Sequence, residues 1–114
     1  MSATAITAIV PAFGGALGSL EESLADRPRF PTVPALLEAD HAFDGALVCL
    51  PNDEAPGAVR ALAEAGKHIL AEKPIGGSAG AVREALDAVA VSGVAFQSGY
   101  VWRYDPGAER LRAM

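Results

Sequence analysis

A short apolar run, Ile69-Leu70-Ala71, ends abruptly on Glu72-Lys73-Pro74, and no other junction in the chain restricts the fold so narrowly. The run reads as a buried strand, and charges at the end of a buried strand are costly unless something pairs with them. In an open α/β sheet the carboxyl ends of the strands face the ligand crevice, where Glu72 and Lys73 would point at a bound molecule. Taken alone, the triplet reads first as a solvated Glu-Lys pair opening a loop. Its neighbours reverse that reading.

Those neighbours alternate in type. Residues 5–10 are rich in β-branched side chains and stop at Pro11, as a strand does. Residues 14–18 form a glycine-rich stretch, and Ser19 is placed to cap a short helix over 20–25 with Glu21 and Glu22 in its first turn. Residues 29–33 make at most a short edge strand, because Pro31 removes a ladder donor. Pro34 opens a helix to Glu38. Residues 45–50 are an unbroken apolar run of the kind parallel sheets use. After the turn Pro51-Asn52-Asp53-Glu54, a helix over 56–65 sets Val59, Leu62 and Ala63 on one face and stops at Gly66. Following the 69–71 strand, Ser78 caps a helix through Ala90, with Val82, Leu86 and Val89 at helical spacing. Gly93 breaks that helix, and 94–100 give a last strand. Alternating strands and helices with short connections predict an α/β chain with a parallel sheet covered on both faces.

Composition narrows the partners. With 114 residues and 51% hydrophobic content, the chain supports one domain with one core. A net charge of -5 without clustered Lys or Arg argues against nucleic acid or an anionic membrane as partner. The apolar stretches are too short to span a bilayer, and Met1-Ser2-Ala3-Thr4 lacks the basic start of a secretory leader. The lone Cys49 forms no intrachain disulfide and, inside an apolar run, is expected as a buried core thiol rather than a nucleophile. A reducing, cytoplasmic setting is expected.

Three segments together resemble one family. They are residues 43–52, ending in Pro51-Asn52; residues 61–74, with Ala65-Gly66-Lys67-His68 leading into Glu72-Lys73-Pro74; and Gly99-Tyr100-Val101-Trp102-Arg103-Tyr104-Asp105-Pro106. The chain is similar to the glucose–fructose oxidoreductase, inositol dehydrogenase and rhizopine-catabolism (Gfo/Idh/MocA) family of NAD(P)-dependent sugar and polyol dehydrogenases. The likeness runs from about residue 5 to the end and is most specific at the Pro-Asn turn and the Glu-Lys-Pro segment. It implies a Rossmann-like, doubly wound parallel sheet and NAD or NADP as cofactor. It also implies that Pro51 and Asn52 lie against the cofactor and that Glu72 approaches the nicotinamide ribose. Lys73 would meet the hydroxyl or carbonyl being oxidised or reduced. Pro74 would hold the turn, in relatives often through a cis bond. Trp102 and Arg103 would line the cofactor pocket where the nucleotide domain hands over to a substrate domain. Chemistry agrees with the residue types: a lysine ammonium beside a carbonyl stabilises developing negative charge, and the nicotinamide supplies the hydride step.

The departures matter as much. A dinucleotide fold opens with a strand, a Gly-x-Gly-x-x-Gly turn and a helix, with a ribose-binding acid at the end of the second strand. Counting back from the later motifs makes residues 5–10 the second strand, puts Pro11 where the acid belongs, and sets the glycine turn before Met1. The first βα unit is then expected to be missing. The competing reading makes 5–10 the first strand and 14–18 the phosphate loop, but Phe13 then stands where the first glycine belongs. Relatives also carry His three residues after the Asn of the turn, where this chain has Ala55. His68, leading into a strand, reads as structural, His41 as solvent-facing, and neither has metal-ligand spacing.

The sequence therefore predicts a partial NAD(P)-binding domain over residues 1–100, with 101–114 opening a connection to an absent substrate domain. The expected activity is that of an oxidoreductase on the CH–OH group of a sugar or polyol, in a chain not active alone. A second reading is a non-catalytic Rossmann remnant whose exposed sheet edges recruit another copy or a partner polypeptide. A third, a phosphate-binding module on residues 14–19, lacks a Walker lysine, since Lys occurs only at 67 and 73.

Overall fold

A computed structural model of the 114-residue chain describes residues 5–11 and 22–114. The chain divides between Asp44 and Gly45 into two compact units.

In the first unit, Ile9 and Arg29 form an isolated parallel bridge. Ile9 N–H donates to the Pro28 carbonyl (3.0 Å) and Phe30 N–H to the Ile9 carbonyl (2.9 Å). The strand expected over 5–10 is thus reduced to one bridge, because Pro28 and Pro31 flank the pairing and neither offers an N–H to extend it. The helix expected over 20–25 is not formed where it can be seen: residues 22–26 are turns, while 14–18, Ser19, Leu20 and Glu21 lie outside the described residues. Helix α1, Val33–Glu38, begins as Pro34 predicts, with Thr32 as cap accepting from Ala35 N–H (3.2 Å). His41 is not solvent-facing as expected. It is half-buried, its ring 5.9 Å from that of Phe30.

The second unit carries the parallel sheet, in the order β1-β2-β3, with β1 Gly45–Val48, β2 His68–Ala71 and β3 Phe96–Ser98. Ala46, Ile69 and Phe96 are register partners, as are Val48, Ala71 and Ser98. Helix α2, Ala55–Glu64, packs on β1 and β2 and along α3, Ala79–Ser92. Val48, Val59, Leu62, Ala63, Ile69 and Ala71 are among the core residues of this unit. Each fully buried Val or Leu there contributes about 1.5–3 kcal/mol relative to exposure.

Local signals set the helix ends. Gly66 (φ 73°) follows α2 and Gly93 (φ 68°) ends α3, both in the left-handed region that glycine enters without penalty. Ser78 caps α3 by accepting from Ala81 N–H (3.2 Å). Beyond β3 a 3₁₀ turn, Val101–Tyr104, leads to helix α4, Pro106–Ala113, where only connecting chain is expected from the sequence. Its signal was present: Asp105 caps it (Oδ1 to Ala108 N–H, 2.8 Å) and Pro106 opens it. Among the described residues no helix is long and apolar enough to cross a membrane.

The opposite side of the sheet departs from expectation. Leu47, Leu70 and Gln97 form its cross-strand row, with Leu47 67% and Leu70 45% exposed. Cys49, one residue past the pairing that ends at Val48, is exposed, not in the core as expected. Partial desolvation, and then the charge of Glu72, push its pKa up, which suits an inert thiol rather than a nucleophile.

Candidate functional site

Because β1, β2 and β3 are parallel, their carboxyl ends lie together, and each continues into one of the motif segments. The ladder runs one residue past the strands: Glu72 N–H donates to the Val48 carbonyl and Gly99 N–H to the Ala71 carbonyl, both at 2.8 Å. The backbone of Glu72 is therefore fixed by β1, and that of Gly99 by β2. Beyond Glu72 the chain turns outward, and Glu72, Lys73 and Pro74 are all exposed. The Lys73–Pro74 peptide bond is cis, the geometry expected for this turn. Ile75, buried, returns the loop to the core.

The Pro-Asn turn sits against this loop. Pro51 carbonyl accepts from Glu54 N–H (3.0 Å) and Ala55 N–H (2.8 Å), which starts α2 directly behind the turn. Ala55, at the position where relatives carry His, is buried at the head of α2. Asn52 carbonyl accepts from Gly77 N–H (3.1 Å), joining the turn to the loop that carries Glu72 and Lys73. Gly76 makes the junction possible. A Cβ there would stand 2.6 Å from Pro56 Cγ and 2.8 Å from Val82 Cγ2, so only a residue without a side chain fits between α2 and α3.

The Glu72 carboxylate is seated at the end of the sheet. Its Oε2 accepts from Lys73 N–H (2.8 Å), and its three carboxyl atoms lie within 3.3 Å of where a Cβ of Gly99 would be. A cavity of about 280 Å³ opens beside it, lined by Glu72, Gly99, Tyr100, Leu47 and Leu70 among others. Arg103 lines a second hollow with Tyr100 and Tyr104, while Trp102 is 74% exposed. The structure thus joins Asn52 to Gly77, on the loop that follows Glu72–Pro74, and places Trp102 and Arg103 on the turn that follows β3. Gly99 and the Gly76-Gly77 pair, which the sequence expectation does not include, are the closely packed positions beside Glu72 and Asn52. A glycine inside a strand-like run is the signal for a close approach, and Gly99 carries it.

His68 is structural, as expected: its Nδ1 accepts from Ala95 N–H (3.1 Å) and ties the start of β2 to the approach of β3.

Comparison with known proteins bears on the family and the fold. Residues 12–100 match the profile of an oxidoreductase family with an NAD-binding Rossmann fold, Gfo/Idh/MocA. D-xylose 1-dehydrogenase (NADP(+)) 2 of Haloferax volcanii is 33% identical over 91 residues, 77% of this chain and 28% of that protein. The uncharacterized oxidoreductase YrbE of Bacillus subtilis is 35% identical over 75 residues, 66% of this chain and 22% of that one. Among solved structures, KijD10, a 3-ketoreductase from Actinomadura kijaniata in complex with TDP-benzene and NADP, superposes with a TM-score of 0.66 at 25% identity. The superposition covers 83% of this chain and 29% of that one. The fold is also that of myo-inositol 2-dehydrogenase from Lactobacillus plantarum (TM-score 0.70, 21% identity, 86% and 30% covered). The chain spans 22–28% of the length of the curated relatives it matches. With a parallel sheet carrying helices and a match over residues 12–100, the chain belongs to the Gfo/Idh/MocA oxidoreductase family and corresponds to its NAD-binding Rossmann-fold domain.

Proposed function

We propose that this chain holds NAD or NADP at the carboxyl end of its sheet, as part of an oxidoreductase acting on the CH–OH group of a sugar or polyol. The observation that carries the reading is the exposed Glu72-Lys73 pair at the end of the middle strand, tied through Gly77 to the Pro51-Asn52 turn. The residues fit the nicotinamide half of the cofactor. An exposed carboxylate over a glycine accepts a ribose hydroxyl, and the backbone around it is fixed by sheet hydrogen bonds. When bound, the nicotinamide ring supplies the hydride chemistry. Lys73 then holds the substrate oxygen with its ammonium, stabilising negative charge there. Pro51, Asn52 and Pro74 shape the cofactor's wall, and Trp102 and Arg103 border it from the turn after β3. In this reading residues 1–100 are the nucleotide-binding part, and 101–114 open the connection toward a substrate domain. The setting is cytoplasmic.

Calorimetric titration of the chain with NADH and NADPH tests this. Binding of either that falls at least tenfold in Glu72→Ala is the expected result; no binding of either, or binding that Glu72→Ala leaves unchanged, overturns it.

One observation favours a second reading, an oligomerisation module. Leu47 and Leu70 lie exposed on a sheet whose β1 pairs only with β2 among the described strands. Light scattering coupled to size exclusion decides it: a stable monomer at micromolar concentration removes this reading.

A further inference from the structure

Gly99 has no conformational reason to be glycine. Positive φ among the described glycines is confined to Gly66 and Gly93, so the backbone at 99 admits any residue. The reason is space. A Cβ at this position would stand 3.0 Å from Glu72 Oε1, 3.2 Å from its Cδ and 3.3 Å from its Oε2, and these are the three nearest atoms. The carboxylate therefore takes the space that a side chain at 99 would need, while its Oε2 accepts from the Lys73 N–H. Two backbone elements bracket it: the floor at Gly99, held to Ala71 by a 2.8 Å hydrogen bond, and the amide of Lys73.

We propose that Gly99 is a positioning residue of the dinucleotide site: the absence of a side chain there lets the Glu72 carboxylate lie across the end of β3, where it meets the cofactor ribose. This rests on the reading of Glu72 given above. The crowding falls on the far end of a flexible side chain and not on backbone. A methyl group at 99 therefore displaces the carboxylate and spares the sheet.

The test uses Gly99→Ala, Glu72→Ala and the double variant. The resonance of the Lys73 amide proton reports the hydrogen bond to Glu72 without any ligand. In Gly99→Ala it is expected to move toward its position in Glu72→Ala, while the amides of α3 and the melting temperature stay as in the parent. Affinity for NADH or NADPH is expected to fall roughly tenfold, as for a lost charged hydrogen bond. In the Glu72→Ala background the same substitution is expected to cost nothing more. A Lys73 amide that stays in place overturns the inference whether or not the chain binds a dinucleotide. An amide that moves while affinity is kept, or an affinity loss that persists without the Glu72 carboxylate, overturns it too. Failure of the parent chain to bind either dinucleotide refutes the reading of the site instead, and the amide shift still decides whether Gly99 sets the carboxylate.

Discussion

Gly76, Gly77 and Gly80 stand close together in sequence, and the structure assigns each a different response to alanine. A methyl group at 76 would approach Pro56 Cγ to 2.6 Å and Val82 Cγ2 to 2.8 Å, and both belong to helices packed on one another. Neither neighbour yields cheaply, since the proline ring is rigid and Val82 is held by α3. Overpacking of this kind costs about 1–3 kcal/mol. Displacing the loop also weakens the Gly77 N–H to Asn52 carbonyl bond, adding about 0.5–1.5 kcal/mol. At 77 the nearest atoms are 3.7 and 3.9 Å away, an ordinary contact, and at 80, inside the first turn of α3, there is nothing within 4 Å. Gly77→Ala should therefore be near neutral, and Gly80→Ala should stabilise by roughly 0.4–1 kcal/mol. For a small domain each kcal/mol moves the melting temperature by roughly 4–8 °C. Thermal unfolding followed by circular dichroism should then rank Gly80→Ala above the parent, Gly77→Ala beside it, and Gly76→Ala lower by at least about 6 °C. Equal melting temperatures for the variants at 76 and 77 would refute the packing argument.

Two further expectations concern the core and the thiol. Leu62 is 2% exposed and Leu111 is 74% exposed; Leu62→Ala should cost about 2–5 kcal/mol in urea unfolding and Leu111→Ala less than about 0.5 kcal/mol, with comparable losses sinking the assignment of α2 to the core. Because the Glu72 charge adds to burial in raising the Cys49 pKa, Glu72→Gln should increase the rate of iodoacetamide alkylation of Cys49 at pH 8, below the thiol's titration. An unchanged rate would separate the two groups.

The sequence made the second unit legible because its signals are local. Ser78 and Gly93 bracket α3, Gly66 follows α2, and the apolar runs at β1 and β2 are short and well bounded. The first unit was less legible. Its apolar run over 5–10 has strand composition, yet a strand is made by a partner's backbone, and the flanking prolines at 28 and 31 leave that partner one bridge wide. The exposure of Cys49 escapes the sequence for a related reason: an apolar run gives no phase, so it does not say which of its residues face the core. At the candidate site, Glu72 and Lys73 stand out in the sequence because they put charge at the end of an apolar strand, and Asn52 stands out through the resemblance. Gly76 and Gly99 do not, since what sets them apart is the atom that would collide with a side chain, and that atom lies on another element.

The exposed indole at the foot of β3 has an optical consequence. Trp102 is the chain's single tryptophan, so its emission reports one place: the turn leaving the end of the sheet where Glu72 sits. Standing in water, it should emit at long wavelength and be open to collisional quenching by iodide. A ligand or polypeptide that covers this end should shift the emission to the blue and shield it, whereas one that settles on α2 or on the outer face of α3 should leave it unchanged.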